Sequence, residues 1–183
     1  VTKPAGYLTN SLTGLEGERG VFYDYIMAGN GLFLQARNKH LAATVCIAPA
    51  EVRGLTPIQE NVELLHGKIP RYLLELAISM LCADSHIEQY LAIIWEGEYH
   101  LKKPDQTATV ASVTYDVLPD TVLDIHSHVE GVGPHFSYID DHDEQGFCLS
   151  AVVGDLANLF PTVELRCGIY GYFLPMSREE IFI

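Results

Sequence analysis

Leu123 to Asp143 reads LDIHSHVEGVGPHFSYIDDHD, which sets His126, His128, Ser137 and Asp140 on one strand end and the loop that follows it. The apolar run Val122, Leu123, Ile125 predicts a strand. Residues two apart on a strand face the same way, so both imidazoles can reach one point in space. A carboxylate from the following loop completes three nitrogen and oxygen donors. Such a set, with a fourth position left for water, is characteristic of catalytic rather than structural zinc. Ser137 and Asp140 also form a plausible helix start, with Ser137 as N-cap and Asp140 bonding back from the first turn, and the two readings are compatible.

Upstream, Pro70 suits the first turn of a helix, and Leu73, Leu74, Leu76, Ala77, Ile78, Met80 and Leu81 give it a wide apolar face. Asp84 and Ser85 end it. Ile87 to Trp95 then reads as a strand apolar on both faces, as in the middle of a covered sheet. Glu88 is the one charge at its entrance, while Glu96 and Glu98, in the turn beyond, are the alternative functional carboxylates.

His-Ser-His followed by Ser-x-x-Asp, here His126, His128, Ser137 and Asp140, resembles the JAMM motif of the JAB/MPN metalloproteases. The upstream glutamate of that family stands where a first helix gives way to a first strand, the place of Glu88 in SHIEQYLAIIW. The spacing from His128 to Ser137 is one residue longer than is usual in the family, and Val129 stands where proline is frequent. The resemblance covers about Pro70 to Pro175. It implies an α/β (α+β) fold, a mainly antiparallel curved sheet flanked by helices. It also implies zinc held by His126, His128 and Asp140, Glu88 as general base and Ser137 as oxyanion donor. The implied reaction is hydrolysis of the amide bond at the C-terminus of a ubiquitin-like or sulfur-carrier-like protein.

The combination of a β-rich front segment containing AGNGLF with a C-terminal JAB domain resembles the protein A component of bacterial ParB-related, ThiF-related cassettes. That resemblance implies an E1/ThiF-like activating protein as a further partner. Two other readings stand beside these. Asp124, His126 and His128 imitate the Asp-x-His-x-His of polymerase-and-histidinol-phosphatase metal sites, but too little chain follows to supply the remaining ligands. The JAB fold also occurs as a non-catalytic scaffold, usually with part of the ligand set missing.

The 183 residues allow one large domain or two small ones, and 48% are apolar, enough for a packed core. A formal charge of −13 repels nucleic acid and anionic membrane and suits a basic or neutral protein partner. No apolar run has the length of a membrane span, which makes the cytoplasm the default compartment. Cys46, Cys82, Cys148 and Cys167 are widely spaced among apolar neighbours and read as buried thiols. The oligomeric state is left open.

Gly14, Gly17 and Gly20 break any helical period, so Val1 to Gly20 reads as a loop or loosely held arm. Val21 to Met27, Gly31 to Ala36 and Leu41 to Ile47 form a β-meander. Pro49 to Pro70 reads as a connection, with a boundary near Lys68 that gives a β-rich domain over 1–67 and a catalytic domain over 68–183. Downstream, strands are expected over Thr107 to Val117, Thr121 to Ile125, Cys148 to Val153 and Val163 to Phe173, and a short helix from Ser137 to Gln145. His86, His135 and His142 read as solvated loop residues near the site, with His142, Asp141 and Asp143 together a candidate group of outer or substitute ligands for the metal. His40, His66 and His100 fall in turns.

Overall fold

The computed structural model describes residues 3–110, 113–143 and 145–183. The chain divides into two compact units, Val1–Gly67 and Lys68–Ile183. Each is built on a six-stranded sheet.

The first unit runs β1 (Ala5–Ser11), β2 (Gly14–Glu18), β3 (Tyr23–Ala28), β4 (Gly31–Arg37), β5 (Leu41–Pro49) and β6 (Asn61–Leu64), in the sheet order β2-β1-β3-β4-β5-β6. Neighbours are antiparallel except β1 and β3. Two expectations are corrected here. The arm is a hairpin, β1 with β2, apart from residues 1 and 2, which lie outside the described residues. Gly17 allows close backbone approach, since a Cβ there would strike the Tyr7 carbonyl, whereas Gly14 serves the turn at φ 115°. The connection after Pro49 contains β6, and Asn30 anchors it by a pair of side-chain bonds to the backbone of Ile58, at 2.8 and 2.9 Å. Leu8, Ile26, Ala28 and Phe33 form a core on one face of this sheet.

The second unit comprises α1 (Arg71–Cys82), β7 (Tyr90–Trp95), β8 (Tyr99–Lys102), β9 (Gln106–Ala108), β10 (Val113–Tyr115), β11 (Thr121–Ser127), α2 (Tyr138–Asp143), β12 (Phe147–Gly154), β13 (Thr162–Ile169), β14 (Tyr172–Met176) and α3 (Arg178–Ile181). The main sheet has the order β14-β13-β12-β11-β7-β8, with β11 and β12 the one parallel pair. Register sorts its side chains into two faces. Leu91, Ile93, Leu123, Ile125, Leu149, Ala151 and Leu165 share one face and are all buried. Tyr90, Asp124, His126, Ser150 and Arg166 share the other, which carries the polar groups.

The expected α/β (α+β) fold, a JAB/MPN-like sheet flanked by helices, is not what the chain forms. The described residues make fourteen strands and three helices, and only α1 is longer than six residues. The fold is β-rich, and the physical reasons are local. Tyr90, Ala92 and Ile94 are covered by Val113, Tyr115 and Leu118, from the β9–β10 hairpin and the segment after it. Between β12 and β13 the chain turns through Asp155, at φ 57°, and re-enters the sheet with no room for a helix. The single strand expected over Val163 to Phe173 is a hairpin, because Tyr170 and Gly171 take φ 48° and 88°, the left-handed pair that a two-residue turn requires. The strand expected over Thr107 to Val117 is likewise interrupted, with residues 111 and 112 outside the described residues. The four cysteines are free thiols, and only Cys167 is fully buried. Among the described residues no helix is long and apolar enough to cross a membrane.

Candidate active site

The site forms where β7, β11 and β12 meet the loop after β11. His126 pairs with Tyr90 of β7 and with Val152 of β12. The antiparallel register continues past the named strands, because the Ser127 amide donates to the Gln89 carbonyl at 2.9 Å. Carried one residue further, it sets Glu88 opposite His128. Glu88, His126 and His128 therefore share the polar face, while Gln89 and Ser127 point the other way. Gln89 is 3% exposed, and its amide nitrogen donates to the carbonyls of Leu81 and Asp84, at 3.2 and 2.8 Å. The end of α1 is thereby tied to the start of β7, at the residue next to Glu88. Lys103 holds the other end of the Gln89 side chain at 2.8 Å.

Ser137 and Asp140 cap α2 reciprocally. The Ser137 amide donates to Asp140 Oδ2 at 2.6 Å, and the Asp140 amide donates to Ser137 Oγ at 3.3 Å. This fixes one carboxylate oxygen and leaves Oδ1 facing His126 Nε2 across 3.5 Å. Burial drives the His126 pKa down to about 4, so its ring is neutral at ordinary pH. Burial pushes Asp140 up, but the neighbouring His126, the bonds from Ser137 and the charge of Arg166 together hold it below the usual carboxylate value. Glu88 moves the opposite way, raised by burial against the opposing pull of His128 and with a further push from Asp140.

His128 is buried, and its Nδ1 lies 3.0 Å from the carbonyl of Gly133. A carbonyl only accepts, so Nδ1 carries a proton, and Nε2 is the nitrogen that could offer a lone pair to a metal. A backbone carbonyl on the far nitrogen is the usual partner of a metal-binding histidine. Two ligands at about 2.0–2.1 Å from a tetrahedral zinc lie roughly 3.3 Å apart, close to the 3.5 Å between His126 Nε2 and Asp140 Oδ1. The donor set, two imidazole nitrogens and a carboxylate oxygen, fits zinc. Among the described residues, however, no group of three His, Cys, Asp or Glu side chains stands in position to hold an ion. The His126–Asp140 pair is at ligating separation; the full trio is not assembled.

The other candidates fall elsewhere. Glu96 faces Lys102 at 3.5 Å and Glu98 faces His100 at 3.7 Å, in the hairpin at the far end of β7. Eight residues along a strand rising about 3.3 Å each separate Glu96 from Glu88 by roughly 25 Å. His86 faces Glu130 at 3.2 Å. His142 is exposed on α2, and the side chain of Asp143 and the whole of Glu144 lie outside the described residues. His135 is closer to the site than its reading as a solvated loop residue implies, because its ring packs edge-on against His128 at 4.4 Å and shares the Gly133 carbonyl. Arg166 was missed altogether. Its signal is a charge on the polar face of a strand whose alternate residues, Leu165 and Cys167, are apolar and buried.

No model of a known protein family matches the chain, and no curated protein matches it. The functional reading therefore rests on the resemblance of the motif and on the residues that carry it.

Proposed function

We propose that the second unit is a zinc-dependent peptidase of JAMM type, which hydrolyses the amide bond at the C-terminus of a ubiquitin-like or sulfur-carrier-like protein. The observation that supports it most is the approach of Asp140 Oδ1 to His126 Nε2, made by a loop carboxylate held in place by Ser137. Glu88 and His128 stand beside that pair on the same face.

His126, His128 and Asp140 would hold the zinc. When bound, zinc supplies Lewis acidity that lets a water ionise near pH 7. Glu88 accepts the proton that the attacking water loses as its oxygen bonds to the substrate carbonyl carbon. It then delivers that proton to the amine nitrogen as the carbon–nitrogen bond breaks. Ser137 Oγ accepts from the Asp140 amide, so its own hydrogen is left to donate to the oxyanion. The products are a carboxylic acid and an amine, with one water consumed, and the acid then passes its proton to the amine or to solvent to leave a carboxylate.

The test is metal content. The purified protein should carry about one zinc per chain, and the double variant His126→Ala with His128→Ala should carry none. Unaltered zinc in the double variant would place the metal elsewhere. A wild-type protein without zinc affinity would make this a non-catalytic binding module instead.

A further inference from the structure

The loop that carries Ser137 and Asp140 is gripped by one side chain from outside it. Arg166 lies on β13, opposite Ser150 of β12 and Pro175 of β14. Its side chain is only 6% exposed, and Nη1 donates to Asp141 Oδ1 at 2.5 Å. The guanidinium carbon lies 3.7 Å from the ring centroid of Phe136 and 4.0 Å from that of Phe173. Phe136 immediately precedes Ser137, and Asp141 immediately follows Asp140. The same guanidinium thus touches both ends of the segment that delivers the two loop residues of the site.

The chemistry of arginine explains why one residue can do this. Its plane can lie against aromatic rings while its edge donates to a carboxylate, and it keeps its charge at any working pH. Lysine offers a point charge with no plane. Stability alone does not ask for a cation here, since an apolar side chain of similar volume often serves a buried site as well or better. What the cation adds is a fixed position for the loop. Phe136 in turn meets the His126 ring edge-on at 6.3 Å. Phe136, Arg166 and Phe173 also line a groove of about 500 Å³ that continues over Leu165, Pro175 and Met176.

We infer that Arg166 is a positioning residue, which sets Ser137 and Asp140 against His126 by holding Phe136 and Asp141 on either side of them. The inference rests on the proposed zinc site for its meaning, but the order of the loop can be read without metal. The amides of Ser137, Asp140 and Asp141 are all bonded within the cap, to Asp140 Oδ2, Ser137 Oγ and the Ser137 carbonyl. Their hydrogen exchange therefore reports its integrity.

The experiment compares Arg166→Met, Arg166→Lys and Asp141→Asn with wild type in the full chain. Amide exchange is read on metal-free protein, and zinc affinity by competition with a chelator. Arg166→Met should speed exchange of the three cap amides at least tenfold while the sheet amides of Leu91, Leu123 and Leu149 keep their protection. Zinc should bind about 10–100-fold more weakly, the usual effect of losing an outer partner of a metal site. Arg166→Lys should restore part of both, and Asp141→Asn should show a smaller loss in the same direction. Unchanged cap protection overturns the inference, and so does a loss shared equally by the sheet amides, which would make Arg166 a general structural residue. If Arg166→Met does not fold, Asp141→Asn, altered at a half-exposed site, decides by the same comparison. A wild type that takes up no zinc defeats the proposed function, while the exchange comparison still decides the role of Arg166.

Discussion

The Gln89 amide donates to the Ser127 hydroxyl at 3.1 Å while the Ser127 amide donates to the Gln89 carbonyl at 2.9 Å, so a side chain and the backbone together join the strand of Glu88 to the strand of the histidines. Ser127 is fully buried. Ser127→Ala leaves a buried amide without its acceptor, a loss of about 1–3 kcal/mol. Urea unfolding should show the midpoint falling with the slope unchanged. A neutral result would mean that water or another group reaches the Gln89 amide.

Glu88→Gln removes a proton carrier without removing a ligand. It should keep zinc content and thermal stability while hydrolysis falls by about 10²–10⁴. Glu96→Gln and Glu98→Gln, at the other end of β7, should be mild. Loss of activity in either of those, with Glu88→Gln fully active, would show that the wrong carboxylate was chosen.

The local geometry of the candidate site was legible where it depends on strand alternation or on close sequence spacing. His126 and His128 share a face because they are two apart, and Ser137 and Asp140 cap one another because they are three apart. What joins distant segments left weaker traces. Gln89 looks like any polar residue at a strand entrance, yet it closes the end of α1. Arg166 looks like a solvated strand residue until Phe136 and Phe173 come together over it. Six strands, β3, β4, β5, β7, β11 and β12, were legible from their apolar runs, whereas β1, β2 and β6 read as loop and the hairpin of β13 with β14 as one strand, and the fold was misjudged as a whole. The helix-flanked expectation came from the motif's resemblance, whereas the covering of Tyr90, Ala92 and Ile94 comes from the hairpin region that carries Val113 and Tyr115.

The C-terminus closes the second unit through α3. Ser177 Oγ accepts from the Glu180 amide, and the Glu180 carboxylate accepts from the Ser177 amide at 2.7 Å. Ile181 and Phe182 beyond are buried, and Phe182 bridges to Ile69. The Ser177 backbone bond, then its side-chain bond, holds Glu180 below its ordinary pKa of 4.5. A carboxylate depressed in the folded state adds stability that is present above its unfolded pKa and lost as pH falls through the folded value. Glu180→Gln should therefore differ from wild type at pH 7, and the difference should shrink as pH falls below the ordinary carboxylate range and through the depressed folded value. Equal differences at both pH values would show that the carboxylate charge contributes nothing.

The proposed substrate is the one that the motif's resemblance to the JAB/MPN metalloproteases implies, and the charge of the chain bears on how it would dock. A chain with 24 acidic and 11 basic side chains attracts a partner with a basic face, and that attraction should weaken as salt rises. The groove lined by Phe136, Arg166 and Phe173 lies against the loop of Ser137, a place where an extended tail could dock. On that resemblance, cleavage is expected after the last residue of a small ubiquitin-like or sulfur-carrier-like protein fused to a reporter, with little action on generic unfolded protein. The assay sets a panel of such fusions beside a casein-like substrate, each with and without a zinc chelator, at low and high salt. Chelator-sensitive cleavage of the fusions that slows with salt supports the assignment. Rapid chelator-sensitive degradation of the generic substrate with the fusions untouched would mark a general protease and end it.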